Sequence, residues 1–196
     1  MAEDKTCRTD ALILLIHRHV WQPARYAHPD WFALIGFHRR ERWCYGEYPA
    51  LDRSLNRVLR ARHCVATLPG RLNERQRRLV SLASNISRYA LALGLLALGC
   101  SDYFLLPDYR HALRDWLDSD LLWRLFGMCD NTQPARFSPE NVINTANRIG
   151  IAMLYRAARH EPVLHALLIR LPLPTHALYP VVPLATMNLV ERMLCR

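Results

Sequence analysis

The side chains best placed to do chemistry in this 196-residue chain are arginines. Arg53, Arg57 and Arg60 recur at i, i+4 and i+7, so a helix would set all three on one face. Arg39, Arg40 and Arg42 precede them, with Trp43, Tyr45 and Tyr48 interleaved, and Arg71, Arg75, Arg77 and Arg78 follow. Lys5 is the one lysine, so almost all of the 26 basic residues are arginine, and the net charge is +9. Guanidinium groups bind carboxylates and phosphates in a bidentate fashion. Three readings follow: an acidic protein partner, with arginine and aromatic side chains as anchors; nucleic-acid phosphate, with the aromatics stacking on bases; and a solvated basic face. A GC-rich codon bias would produce the same arginine excess. The helix order fits no recognised nucleic-acid module, and nucleic acid is not the expected partner.

Other reactive side chains assemble less well. His17 and His19, with His28 nearby, have ligand chemistry, but i and i+2 point apart on a helix and cannot share one ion. Cys44, His63 and Cys64 lack the spacing of a zinc site. Asp115, Asp118 and Asp120 are read as helix-start and turn acids. No G-x-S-x-G, H-E-x-x-H, P-loop or G-x-G-x-x-G is present. Nothing pairs a nucleophile with a base and an orienting group. The expectation is a non-enzymatic protein with no catalytic residue, no cofactor and no metal.

The elements that would position the arginines follow from periodicity. Leu51, Leu55, Val58 and Leu59 give the apolar stripe of an amphipathic helix over 51–62. Asp52 offsets part of the repulsion along its basic side. Pro69-Gly70 is a turn, and Asn73 then caps a long helix with a stripe of Leu72, Leu79, Leu82, Ala83, Ile86 and Tyr89. That helix runs into Tyr89–Cys100, the one long uncharged apolar run. It is well short of the roughly 20 residues a membrane span needs, and it has no polar face, so it reads as a helix buried on all sides. Gly94 and Gly99 would let neighbouring helices approach closely there.

Upstream, residues 1–8 are expected to be disordered or frayed, and Thr9 and Asp10 to cap a short helix from Ala11 to about His19. His17-Arg18-His19 follow the apolar residues where a signal peptide would have its small cleavage-site residues. The segment 21–29 is a proline-framed aromatic turn, and Pro29-Asp30 opens a second short helix, Trp31 to Phe37. Downstream, Tyr109, Ala112, Leu113, Trp116 and Leu117 make another stripe, extended or followed by residues 121–128. Ser138-Pro139-Glu140 starts a helix to about His160 whose core is Val142, Ile143, Ala146, Ile149, Gly150, Met153 and Leu154. A short helix runs from Pro162 through Ile169, Leu171–Pro174 is extended, and a last helix covers Leu184 to Leu194. With 7 glycines, no repeat and no Gly/Ser linker, the chain reads as a mostly α-helical single domain, residues 1–196, around a central buried helix at about 89–100. The six cysteines, Cys7, Cys44, Cys64, Cys100, Cys129 and Cys195, form no C-x-x-C and are read as reduced thiols in a cytoplasmic protein.

Three stretches, in this order, resemble one family. Trp21-Gln22-Pro23-Ala24-Arg25-Tyr26-Ala27-His28-Pro29 is similar to the aromatic-x-Pro-x-x-Tyr-x-His-Pro segment near the start of the SctK family of type III secretion proteins, which includes YscK, OrgA and MxiK. Leu95 to Cys100 followed by Leu106-Pro107-Asp108 resembles that family's central apolar helix and its sequel, and Ile169-Arg170-Leu171-Pro172-Leu173-Pro174 its C-terminal arginine-leucine-proline stretch. The resemblance implies a helical, non-catalytic adaptor of the injectisome sorting platform. Such an adaptor lies at the cytoplasmic face of the injectisome without inserting into the membrane. It links the cytoplasmic forkhead-associated domain of the inner-ring protein SctD to the pod protein SctQ, and through it to the SctL stator and the ATPase. On this reading Arg39, Arg40, Arg42, Trp43, Arg53, Arg57 and Arg60 meet partners. Trp21, Pro23, Tyr26, His28 and Pro29 hold structure. A basic nucleic-acid-binding protein and a secretion chaperone are the alternatives.

Overall fold

The computed structural model describes residues 2–38, 42–65, 67–130, 133–174 and 182–195, with side chains from residue 11 onward. All regular structure among these residues is helical, and no strand occurs. The chain forms two compact units: residues up to Ala83 with Ala157–Leu173, and Ser84–Arg156 with Pro174 onward.

The first unit opens with α1 (Ala2–Trp21), which is longer than expected: Thr9 and Asp10 lie inside the helix, not at its cap, and the first turns are helical from Ala2. A 3-10 turn over Pro23–Arg25 leads into α2 (Pro29–Leu34), which ends three residues before the expected Phe37 because Ile35 and Gly36 leave helical geometry, Gly36 at φ 72°. Next comes α3 (Pro49–His63), with proline at its first position. Then α4 (Glu74–Ser81) starts in a capping box: Asn73 Oδ1 accepts from the Gln76 N–H at 2.8 Å, and Gln76 Oε1 accepts from the Asn73 N–H at 3.0 Å.

The expected long helix from Asn73 to the apolar run does not form. It breaks after Ser81, and a 3-10 turn over Ala83–Asn85 follows. Ser81 Oγ turns back onto the Arg77 carbonyl, and the Leu82 N–H is shared between the Arg78 and Leu79 carbonyls at 3.0 and 3.1 Å, the tightened geometry of a last turn. After the second unit the chain returns for α10 (Pro162–Leu167) and a 3-10 turn, Leu168–Arg170. The core of the first unit joins Ile16, Phe32, Leu59, Leu79, Val80 and Leu82 to Val163, Leu164, Leu167, Leu168 and Ile169. Helices α1, α4 and α10 pack on one another there. Gln76 Nε2 donates to Glu161 Oε1 at 3.1 Å, tying the start of α4 to the cap of α10.

The second unit is built on α5 (Ile86–Leu98), the core helix anticipated from the apolar run. Tyr89 to Leu96 are all buried, and each fully buried leucine contributes about 1.5–3 kcal/mol of hydrophobic stabilisation. Around it follow α6 (Asp102–Leu105), α7 (Pro107–Leu113), α8 (Ser119–Phe126), α9 (Pro139–Ala157) and α11 (Leu184–Leu194). Helix α9 ends before the expected His160, in a 3-10 turn at Ala158–His160. Tyr89 donates its hydroxyl to the buried Glu191 of α11 at 3.0 Å, as a carboxylate removed from water requires.

Where α5 meets α9 the contact is backbone on backbone. A methyl on Gly94 would fall on the Ala146 carbonyl, and one on Gly150 would fall on the Ala90 carbonyl. Ala90 and Gly94, one turn apart, therefore face Ala146 and Gly150, also one turn apart, and glycine is obligatory at both close points. Gly99 has a different job from the one expected. At φ 60° it caps the C-terminus of α5 in the left-handed conformation, and its carbonyl accepts from the Gln133 N–H at 3.0 Å.

Candidate functional site

Helix α3 carries the arginine face. Leu55, Leu59 and His63 point into the first unit, while Arg53, Arg57 and Arg60 are exposed in one row. Among the described residues none of the three meets a carboxylate. Asp52, expected to relieve their repulsion, is committed elsewhere. It is 6% exposed, and its two oxygens accept from Trp43 Nε1 and from the Gly46 N–H, each at 2.9 Å. Val58, expected on the buried stripe, is instead 41% exposed on the outer side of the helix.

The same two bonds explain where Trp43 goes. Its ring lies 5.4 Å from Phe32, 5.9 Å from Phe37 and 6.0 Å from Tyr45, so it holds the 42–48 loop onto the unit. Tyr45 accepts at its hydroxyl from Asn56 Nδ2 at 3.2 Å, tying the loop to α3 again. Gly46, at φ 105°, makes the turn that brings its N–H to Asp52. Arg42 is exposed, and Arg39 and Arg40 lie outside the described residues.

The segment 21–29 divides into a buried part and a surface part. Pro23 and Ala24 are buried, and the Ala24 N–H donates to Asn56 Oδ1 at 3.0 Å. Tyr26 stacks on His19, with ring centres 4.0 Å apart and planes at 12°. His28 caps α2 through Nδ1, which accepts from the Asp30 N–H at 3.3 Å, and its own N–H donates to the Ile169 carbonyl at 2.9 Å. Pro29 occupies the first position of α2. Trp21 belongs to the surface part: it is 56% exposed, and the Arg60 guanidinium lies over its ring at 4.0 Å. The proline-framed segment suggests a packing role for Trp21; the end of α1 instead presents it beside the arginine row.

Two open grooves of about 430 Å³ each flank this row. One is lined by Val20, Pro23, Ala61, His63, Cys64 and Val65 together with Arg57 and Arg60. The other runs over Trp21, Tyr45, Pro49 and Arg53, again bounded by Arg57 and Arg60. His63 brings no charge to the first groove at neutral pH. Burial, then the neighbouring His165, push its pKa down to about 4. Its ring meets Trp31 edge-on at 5.0 Å and His165 at 4.8 Å. His19 is likewise pushed down to about 4, by burial. The positive field of the site is therefore arginine alone.

The remaining reactive groups are dispersed. His17 is exposed, whereas His19 and His28 are held as described, and Cys44 and Cys64 are exposed while His63 is buried. Asp118 caps α8 by accepting from the Leu121 N–H at 2.8 Å, and Asp120 pairs with Arg124 at 2.5 Å. Among the described residues no three His, Cys, Asp or Glu side chains converge on a point where an ion could sit. The described site is a cationic, partly aromatic surface with shallow apolar relief, which suits binding a macromolecular segment.

Against known proteins, a family model described as a type III secretion system subunit matches residues 14–173, most of the chain and all of the arginine site. No curated protein and no solved structure matches.

Proposed function

The chain belongs to the family of type III secretion system subunits, and from that premise we propose that it is a non-enzymatic adaptor of the SctK kind. In this role it joins the cytoplasmic forkhead-associated domain of a SctD-like inner-ring protein to a SctQ-like pod protein. The SctL stator and the ATPase are reached through the latter. The adaptor works at the cytoplasmic face of the injectisome, held to the membrane by its partners. Among the described residues no single helix is long and apolar enough to cross a membrane.

The observation that carries this reading is the row Arg53, Arg57 and Arg60, exposed, paired with no carboxylate among the described residues, and flanked by the exposed Trp21. Like charges along one helix face cost a few tenths of a kcal/mol per pair, roughly, in the isolated fold. An acidic partner surface reverses that sign, and arginine and tryptophan are the residue types that anchor such contacts. The two compact units suit an adaptor with more than one contact surface.

Co-purification tests the reading. The chain mixed with the SctD-like cytoplasmic domain and the SctQ-like protein from its own gene cluster should elute with both in one complex. Failure to hold either partner, with both partners folded, contradicts the adaptor role.

A further inference from the structure

We propose that the groove between the end of α1 and α3 is a docking site for an acidic linear peptide. In it, carboxylates of the peptide pair with Arg57 and Arg60, and an apolar side chain settles on Val20, Pro23, Ala61 and Val65. This deepens the adaptor reading and rests on it, since it names the chemistry of one partner contact.

Charge complementarity selects the occupant. Among the described residues the lining holds two arginines and no acid, and neither arginine is paired with a carboxylate. His63, which also lines it, is neutral at pH 7, so the attraction comes from guanidinium groups and persists across the physiological range. Arg57 and Arg60 stand at i and i+3 on α3, with β-carbons about 5–6 Å apart. Alternate residues of an extended peptide project to the same side at about 6.5–7 Å. A peptide with carboxylates at i and i+2 therefore reaches both cations, and the intervening pleat directs a neighbouring side chain to the other side. The apolar floor is open and small, suiting one or two aliphatic side chains more than the flat face of a folded domain.

A nucleic-acid strand fits less well. One face of Trp21 is already covered by Arg60, which removes a stacking platform that a base would use. The floor of the groove is aliphatic apart from His63, whose ring is buried against Trp31 and His165.

The test uses the full-length protein and fluorescein-labelled peptides of about a dozen residues, carrying glutamates and leucines in a Gly/Ser background. The spacing from leucine to the nearest glutamate pair is varied across the set. Binding is read by anisotropy at about 0.15 M salt, where exposed charges more than about 8 Å apart are largely screened. Cys64 supplies a positional reporter, because it lines the groove and is exposed, whereas Cys44 and Cys195 are exposed and do not line it. At least one spacing should bind, and replacing either its glutamates by glutamine or its leucines by alanine should weaken it at least tenfold. The bound peptide should slow alkylation of Cys64 severalfold, read by mass spectrometry, and leave Cys44 and Cys195 unchanged. Ala61→Glu, an exposed substitution that puts an acid in the groove, should abolish binding with the thermal melt unchanged.

Binding that leaves Cys64 unprotected overturns the groove while the adaptor reading stands. Equal binding of an all-glutamate peptide or of oligothymidylate shows attraction by charge alone and also overturns it. So does the absence of binding across the whole set; the adaptor reading itself falls only with the loss of the three-protein complex.

Discussion

The guanidinium carbon of Arg60 sits 4.0 Å from the centre of the Trp21 ring, which joins the last residue of α1 to the exposed row of α3. Two residues thirty-nine positions apart thereby become one surface feature, an aromatic ring with a cation laid over it. The contact lies at the surface: the Arg60 guanidinium covers the ring, and Trp21 is 56% exposed.

Trp21 and Trp31 should respond oppositely to truncation. Trp31 is 5% exposed, and its Nε1 donates to the Leu171 carbonyl at 3.1 Å. Trp31→Ala is expected to cost about 3–5 kcal/mol, the range for losing a buried large aromatic. Trp21→Ala removes only an exposed cation–π contact and should cost less than about 1 kcal/mol. Urea unfolding of the two variants measures the difference, and equal losses would place Trp21 in the core.

The α5–α9 crossing makes a second prediction. Gly94→Ala sets a methyl on the Ala146 backbone, which no rotamer change relieves, so the helices must part. The expected loss is about 3 kcal/mol or more, the upper end of overpacking costs. Gly70→Ala is the matched control: nothing lies near its added methyl and its φ is not positive, so its unfolding free energy should change by less than about 0.5 kcal/mol. A Gly94→Ala variant as stable as wild type would rule out the close crossing.

Acid should weaken the first unit through two histidines. His19 and His63 have pKa values lowered from 6.5 to about 4, so the unfolded chain binds their protons first. The stability linked to their neutral forms is complete above about pH 6.5 and is lost as pH falls toward 4, with each histidine contributing on the order of 3 kcal/mol over that window. Denaturant midpoints measured at several pH values should therefore fall between pH 6.5 and 4. His63→Phe, which keeps an aromatic ring against Trp31, should flatten part of that slope. An identical slope in the variant would remove His63 from the account.

Local signals are legible where a residue acts within its own turn. Asn73 caps α4, Ser138-Pro139 starts α9, and Leu184–Leu194 is the final helix with the expected bounds. The apolar run from Tyr89 was legible as a core helix because no solvent-facing arrangement suits it. Features that depend on distant partners were not legible. Trp43 among arginines looks like a binding residue, yet its indole N–H is held by Asp52 and its ring by Phe32 and Phe37. His63 gains its neutral character from burial beside His165, more than a hundred residues away. Gly94 signals a close approach within the apolar run, but its partner on α9 carries no such signal, because Ala146 and Gly150 look like ordinary small core residues. The break after Ser81 is not legible in the sequence because the apolar stripe continues through it from Leu79 to Tyr89, and serine and asparagine are only mildly unfavourable inside a helix. For the site, the arginine row was visible in the spacing, whereas the grooves beside it and the placement of Trp21 needed α1 and α3 to be seen together.

Binding of the Arg53→Glu, Arg57→Glu, Arg60→Glu triple variant to the SctD-like cytoplasmic domain and to the SctQ-like protein tests the arginine face most directly. All three side chains are exposed, so the melting temperature should stay close to that of the wild type. Affinity for one of the two partners should fall at least about tenfold, the scale on which reversed interface charges act, and the other contact should persist. Unchanged affinity for both partners in a folded variant would contradict the assignment of this face to partner binding.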